Sequence, residues 1–213
     1  MPPVFFTPSI VEKYIKHLKN NGSPGPDGIP PEFYRATASL VSFPLSIIFN
    51  MSYQTGELPA IWKYAAITPV FKKGASSDPG NYRPISLTCI ACKLIEAGIK
   101  EALMNHLLQH KLISHHQHGF LSRKSTSTQL LECCLDWNVA MNTHNNIDVI
   151  YLDFAKAFDS VVHSKLLAKL SCYVNNSLLL SWIRSFLSDR LQYAKVNKSC
   201  VKRFLLFTTV RKL

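Results

Sequence analysis

An α+β fold is predicted by three features of the sequence. Apolar residues recur at helical spacing in several stretches, among them 10–18, 94–107 and 130–141. Two short β-branched segments, Trp62–Gly74 and Asn81–Thr88, flank a basic Lys72-Lys73-Gly74 turn and read as a hairpin. A third run, Ile147 to Phe154, is apolar on both faces apart from its carboxylates, as a central strand would be. With 47% hydrophobic residues the chain can bury a core, and its length suits one domain or two small ones.

Thr7 before Pro8 fits an N-cap and first helical position. Ile10, Val11, Tyr14, Ile15 and Leu18 then share one helical face until Asn20, Asn21 and Gly22 stop it. The stretch SPGPDGIPPEFY sets four prolines and two glycines around Asp27, a stiff turn-rich loop, and residues 31 to 55 read as helix. In the hairpin, Pro84 confines the second strand to an edge or a bend. Leu94, Ile95, Ile99, Ala102, Leu103 and Leu107 make one long helix, and Leu130, Leu131, Cys134, Leu135 and Met141 another. After the 147–154 strand, helices are expected at 164–173 and 177–189, and a short strand near 192–197.

Lysine and arginine number 24 against 13 acids, a net charge of +11 that points to a polyanionic partner, nucleic acid first. Cys89 and Cys92 have C-x-x-C spacing, but the adjacent Cys133 and Cys134 supply no second such pair and all four fall in helical patterns. No zinc is therefore expected. The N-terminus lacks a signal-peptide run and no stretch approaches the roughly 20 apolar residues that span a bilayer, so the chain is read as soluble and intracellular, cytoplasmic or nuclear, not secreted, with no membrane partner.

The chemical question lies in YLDFAKAFDSVVH, where Asp153 and Asp159 sit six residues apart in an apolar setting. A buried carboxylate requires a partner, a hydrogen bond or a cation. Asp159, beside Ser160, suits a turn or a helix cap, with a direct metal role as the alternative. Five stretches in order, SPGPDGIPPEFY, WKYAAITPVFKKG, NYRPISLT, HQHGFLSRKSTSTQLL and YLDFAKAFDSVVHSKLL, resemble successive blocks of the reverse transcriptase of non-LTR, LINE-type retrotransposons, over about residues 7 to 198.

That resemblance implies a right-hand polymerase, with residues 1–146 as fingers and fingers–palm connection and 147–199 as a partial palm. It implies two-metal copying of an RNA template from a DNA primer with dNTPs and Mg²⁺, Mn²⁺ being possible in the complete enzyme. Asp153 matches the first catalytic, metal-binding aspartate, and the main-chain carbonyl of Phe154 a further metal contact, the Phe154 side chain belonging to the core. A hard, oxygen-seeking cation explains the carboxylate. Lys72 and Arg83 match residues that hold the triphosphate, with Lys73 close behind, and a point charge beside a planar guanidinium suits polyphosphate. Phe158 matches the aromatic that excludes a ribose 2′-hydroxyl. Arg123 and Lys124 are candidate phosphate contacts, although a helix N-terminus capped by Ser125 or Thr126 accounts for the same polar cluster.

The later Asp-Asp pair of the family is nowhere in these 213 residues, and the tail CVKRFLLFTTVRKL resembles no family block. Residues 200–213 are therefore expected to form a disordered, non-family tail. The isolated chain is expected to be inactive; the alternative is a non-catalytic remnant that binds nucleic acid.

Overall fold

In the computed structural model Thr7 caps the first helix, α1 (Pro8–Lys16), its hydroxyl accepting from the Ile10 N–H at 3.2 Å. The structure describes residues 1–20, 22–154, 157–196 and 199–205, with 195, 196 and 199–205 described by their backbone only. Two units divide the chain, Met1–Met104 with Phe158–Leu213, and Asn105–Ala157.

In the first unit the expected 31–55 helix is two, α2 (Pro31–Ala36) and α3 (Ala38–Thr55). The break falls at Thr37, whose hydroxyl donates to the Phe33 carbonyl at 2.7 Å and whose φ of −111° leaves the helical range. A single 3₁₀ turn leads into β1 (Tyr64–Phe71), which pairs antiparallel with β2 (Tyr82–Leu87). There follow α4 (Ile90–Gln109), α5 (Thr126–Asn142) of the second unit, α6 (His163–Tyr173), α7 (Ser177–Leu187), β3 (Leu191–Val196) and β4 (Ser199–Leu205). The sheet order is β2-β1-β3-β4, with β1 and β3 parallel and β3 and β4 antiparallel. Pro84 lies, as expected, on an edge strand, β2.

The core of this unit is aromatic. Phe6, Phe49 and Trp62 meet edge to face at 5.4 and 5.9 Å, and Trp182 stacks on Phe186 at 5.3 Å. Polar atoms are paired within it: Trp182 Nε1–H donates to Ser52 Oγ at 3.1 Å, which in turn donates to the Glu57 carbonyl at 2.6 Å. Asn50 acts as a surrogate strand, accepting from the Phe6 N–H at 2.9 Å and donating to the Phe6 carbonyl at 2.8 Å. That double bond fixes the N-terminal segment so that Phe6 reaches Gly98 on α4, where a Cβ would lie 2.4 Å from the ring. Glu96 and Arg190 are both buried; the Cys92 thiol donates to Glu96 Oε1 at 3.0 Å, and Arg190 donates to the Phe186 carbonyl at 3.0 Å while lying over the Phe186 ring.

Residues 147–154 form no strand: they lack regular secondary structure, and Ile150, Tyr151, Leu152 and Phe154 are 81–88% exposed. The Phe154 side chain is thus not in the core. A strand exists only within a ladder, and no described segment pairs with this one. Residues 200–205 are not a disordered tail, because they belong to β4, where Leu205 pairs with Leu191 and Cys200 with Lys195. The β3 edge supplies a full row of backbone partners, which a neighbouring strand can take without side-chain alternation. The remainder of the tail, 206–213, lies outside the described residues. Asp159 sits in a turn as expected, but the cap position of α6 is Val162.

The proline-glycine loop is pressed onto the start of α4. A Cβ on Gly25 would lie 2.4 Å from the Cys89 nitrogen and 2.5 Å from the Thr88 carbonyl, atoms of fixed backbone. Gly25→Ala is expected to destabilise the fold by about 2 kcal/mol or more in urea titration. Gly28→Ala, at φ +72° with open space around it, should cost only about 1 kcal/mol.

Burial and then the nearby Asp27 charge push the Cys89 thiol up to about 11, and burial and then Glu96 raise Cys92 well above the ordinary thiol range. Both should resist a thiol reagent at about pH 8, where an ordinary thiol of pKa about 8.5 reacts through its thiolate. Exposed Cys134 and Cys172 should label first and the half-buried Cys133 after them. The sign for stability follows. A thiol raised in the fold favours folding below its ordinary pKa and loses that contribution as pH climbs towards about 11. Mass-spectrometric mapping of labelled cysteines with and without denaturant, and melts above pH 9, check both outcomes.

Candidate nucleotide and nucleic-acid interface

The β1–β2 hairpin carries the basic candidates of the first unit. Its root is buried at Ala65 and Ala66, and its distal half, including Val70 and Phe71, is exposed. Register sets which side chains share a face. Val70 pairs with Arg83 and Phe71 with Tyr82, so Phe71 and Tyr82 share one face while Val70, Arg83 and, by the period of two, Lys72 share the other. The Phe71 and Tyr82 rings meet at 5.4 Å. Lys73 lies one residue beyond, in the turn.

The tip between Lys72 and Tyr82 braces itself. Lys72 N–H donates to the Asn81 carbonyl at 2.8 Å, the Asn81 amide donates to the Ala75 carbonyl at 2.9 Å, and the Tyr82 hydroxyl donates to the Ser76 carbonyl at 2.8 Å. Asp78 accepts from the Gly80 N–H at 2.8 Å. Gly74 has φ +94° and stands against the Asn81 amide, which favours a residue without Cβ. Lys72, Lys73 and Arg83 are exposed and have no ion-pair partner among the described residues. The result is a fixed backbone that presents hydrated, uncommitted cations.

In the second unit, α5 begins with a capping box: Ser125 Oγ accepts from the Thr128 N–H at 3.2 Å, and Thr128 Oγ1 accepts from the Ser125 N–H at 2.9 Å. One turn on, Glu132 accepts from His116 Nδ1–H at 2.7 Å and His118 Nε2–H at 2.6 Å. These two hydrogen bonds, His118 first, hold its carboxyl below the usual carboxylate range. The sequence reading did not single out these histidines as site residues. The available signal was the acid four residues beyond the capping box, one turn along the same helix.

The neighbouring basic pair divides in role. Lys124 is half-buried and donates to the His115 carbonyl, while Arg123, at φ 63°, is exposed with no hydrogen-bond or ion-pair partner among the described residues. Ser125 is the N-cap, so both sequence readings of this cluster apply, to different residues. Asp153 and Phe154 lie adjacent in the exposed 147–154 segment of the same unit, and Phe158 is half-buried in a turn of the first unit. Among the described residues no three His, Cys, Asp or Glu side chains gather as a metal site. No described helix is long and apolar enough to cross a membrane.

The family model for reverse transcriptase (RNA-dependent DNA polymerase) matches residues 70–210, from the hairpin through β4. Among curated relatives, the RNA-directed DNA polymerase from mobile element jockey of Drosophila melanogaster is 30% identical over 90% of this chain and 21% of its own length. The probable RNA-directed DNA polymerase from transposon BS of the same organism is 28% identical over 87% of the chain and 20% of its own length. The retrovirus-related Pol polyprotein from type-1 retrotransposable element R1 of Bradysia coprophila is 28% identical over 86% and 18%. The chain thus spans about a fifth of the length of these relatives. The match passes the boundary drawn at residue 199 and, like β4, includes residues on both sides of it. With two thirds of its length matched by that model and the motif order of its sequence, the chain belongs to the reverse transcriptase (RNA-dependent DNA polymerase) family, in its non-LTR, LINE-type branch.

Proposed function

We propose that this chain supplies the nucleotide-gripping and template-facing part of an RNA-directed DNA polymerase, with residues 1–146 as fingers and connection and 147–199 as part of a palm. The observation that carries the reading is the hairpin register, which sets Lys72 and Arg83 on one exposed face at the end of a strand rooted in the core. A mobile ammonium beside a bidentate guanidinium complements the oxygens of a dNTP triphosphate. Phe158 is assigned to sugar selection by steric exclusion. RNA template and DNA primer are the polyanionic partners that the net charge of +11 favours.

Donor chemistry is compatible with Mg²⁺ or Mn²⁺ at Asp153, since a carboxylate and the Phe154 carbonyl are hard oxygen ligands. Donor number is not sufficient. Two-ion transfer requires ligands on both sides of the reacting phosphate, and among the described residues no three His, Cys, Asp or Glu side chains gather as a metal site at Asp153. No catalytic step is therefore assigned to this chain alone. Its own residues bind triphosphate and nucleic acid, and Asp153 supplies one ligand to a site completed by other acids. The second reading is a nucleic-acid binder without catalysis, which the net charge of +11 also accommodates. Both place the chain in an intracellular setting.

The hairpin assignment ranks the two lysines. Lys72→Ala and Arg83→Ala should each weaken dNTP binding by about tenfold, the loss of one charge-assisted hydrogen bond, and Lys73→Ala by about twofold. Equilibrium dialysis with labelled dNTP measures this; equal effects at Lys72 and Lys73 would remove the register argument.

Purified 1–213 should bind a primed RNA template yet incorporate no dNTP with Mg²⁺. Its affinity should fall by orders of magnitude between about 50 and 200 mM salt, as several phosphate contacts require. Template-dependent extension abolished by Asp153→Ala would overturn the non-catalytic expectation, and salt-independent affinity the electrostatic one.

A further inference from the structure

We propose that Glu132 is a positioning residue that pins the segment 114–124 to α5 and thereby holds Arg123 for a nucleic-acid phosphate. The inference rests on the reading that this segment contacts nucleic acid. Segment 114–124 has turns but no helix or strand, and it includes two non-glycine residues in left-handed conformation, Phe120 at φ 62° and Arg123 at φ 63°. Such a backbone keeps one shape only when its surroundings fix it. Among its ties to α5 are the contact of His118 Nδ1 with Thr128 Oγ1 and the bonds of the two histidines, which converge on the two oxygens of one carboxylate. His118 is nearly buried; His116 is exposed. Lys124 ties the segment internally to His115, leaving Arg123 as its uncommitted cation.

The hydrogen bonds survive a change of charge on His118. Thr128 Oγ1 accepts from the Ser125 N–H at 2.9 Å and lies 2.9 Å from His118 Nδ1 and 2.8 Å from the Ser125 carbonyl. When His118 is neutral, the Thr128 hydroxyl donates to Nδ1. When His118 is charged, Nδ1–H donates to Thr128 Oγ1, and the hydroxyl turns to Ser125. In both states Nε2–H donates to Glu132, and His116 Nδ1–H does the same for the other oxygen. What the arrangement cannot survive is loss of the carboxylate. Glu132 is held below its ordinary range, so its contribution is present above the ordinary carboxylate pKa and is lost as pH falls through the lowered value. The titratable groups in contact with it are His116 and His118.

Electrostatics alone predicts the opposite sign for the decisive variant, because removing a negative charge from a basic protein strengthens binding to a polyanion. The experiment is an anisotropy titration of a labelled RNA–DNA hybrid with the full 213-residue chain at about 100 mM salt, repeated across salt concentrations. Glu132→Gln should weaken binding by about 3- to 10-fold and lower the salt slope by about one, the signature of one lost phosphate contact. Adding Arg123→Ala should then change little further, since both changes remove the same contact. Unchanged or tighter binding by Glu132→Gln, while Arg123→Ala weakens it, would overturn the positioning role and leave the interface reading in place. No effect of Arg123→Ala would overturn the interface reading and the inference with it. Far-UV circular dichroism checks that α5 is retained; should Glu132→Gln lose its helix signal, His116→Ala, an exposed substitution that removes half the staple, decides by an intermediate loss of affinity or none.

Discussion

The parallel pairing of β1 with β3 is the interaction on which the first unit depends. Tyr64 to Ile67 lie beside Leu191 to Ala194, and more than a hundred residues separate the two segments in sequence. The entropy of closing a long connection grows only logarithmically with its length, so the groups at the junction decide whether it closes. They are Trp62, Ala65 and Ala66 on one side, and on the other Arg190, fixed to the Phe186 carbonyl and ring. The free edge of β1 carries β2. A slip of one residue in the β1–β3 ladder would turn the side chains of β1 to the opposite face and carry Lys72 with them.

The same strand passes from one dielectric extreme to the other. At its root, charge is tolerated only in company: buried Glu96 accepts from the Cys92 thiol, and Arg190 is bonded and stacked. At its tip, Lys72, Lys73 and Arg83 keep their hydration and have no acid bound to them among the described residues. A cation already paired inside the protein would have to break that pair to bind a phosphate. Rigidity here comes from backbone and amide hydrogen bonds around Asn81, Tyr82 and Asp78, which leave the ammonium and guanidinium groups free to bind.

Local chemistry was legible in the sequence where local forces decide. Thr7 and Pro8 opened α1, Pro84 marked an edge strand, and the Lys72-Lys73-Gly74 turn lay where the hairpin tip is. The break at Thr37 was missed because a threonine hydroxyl is compatible with a helix and only its bond to the Phe33 carbonyl shows the competition. The staple at Glu132 was missed because its partners lie 14 and 16 residues away, at a distance where spacing along a helix gives no guide. Strand 147–154 was wrongly expected, and β4 was overlooked, for one reason. Periodicity describes the faces an element would present, whereas a strand is made by the neighbour that supplies its hydrogen bonds.

That distinction also answers the question posed by two carboxylates in an apolar stretch. Asp153 is exposed, so it requires no buried partner. The unusual groups are instead its neighbours, Ile150, Leu152 and Phe154, which stand exposed and would share one face only if the segment were a strand. A pairing strand would satisfy the backbone of this segment and cover these side chains. It would also fix the direction of the Asp153 carboxylate, which a segment without a ladder leaves undetermined. Two-ion transfer requires both a fixed first carboxylate and a second acid beside it. If the second acid is borne on the strand that pairs with residues 147–154, then ordering the segment and completing its metal ligands are one event, governed by the same ladder of hydrogen bonds.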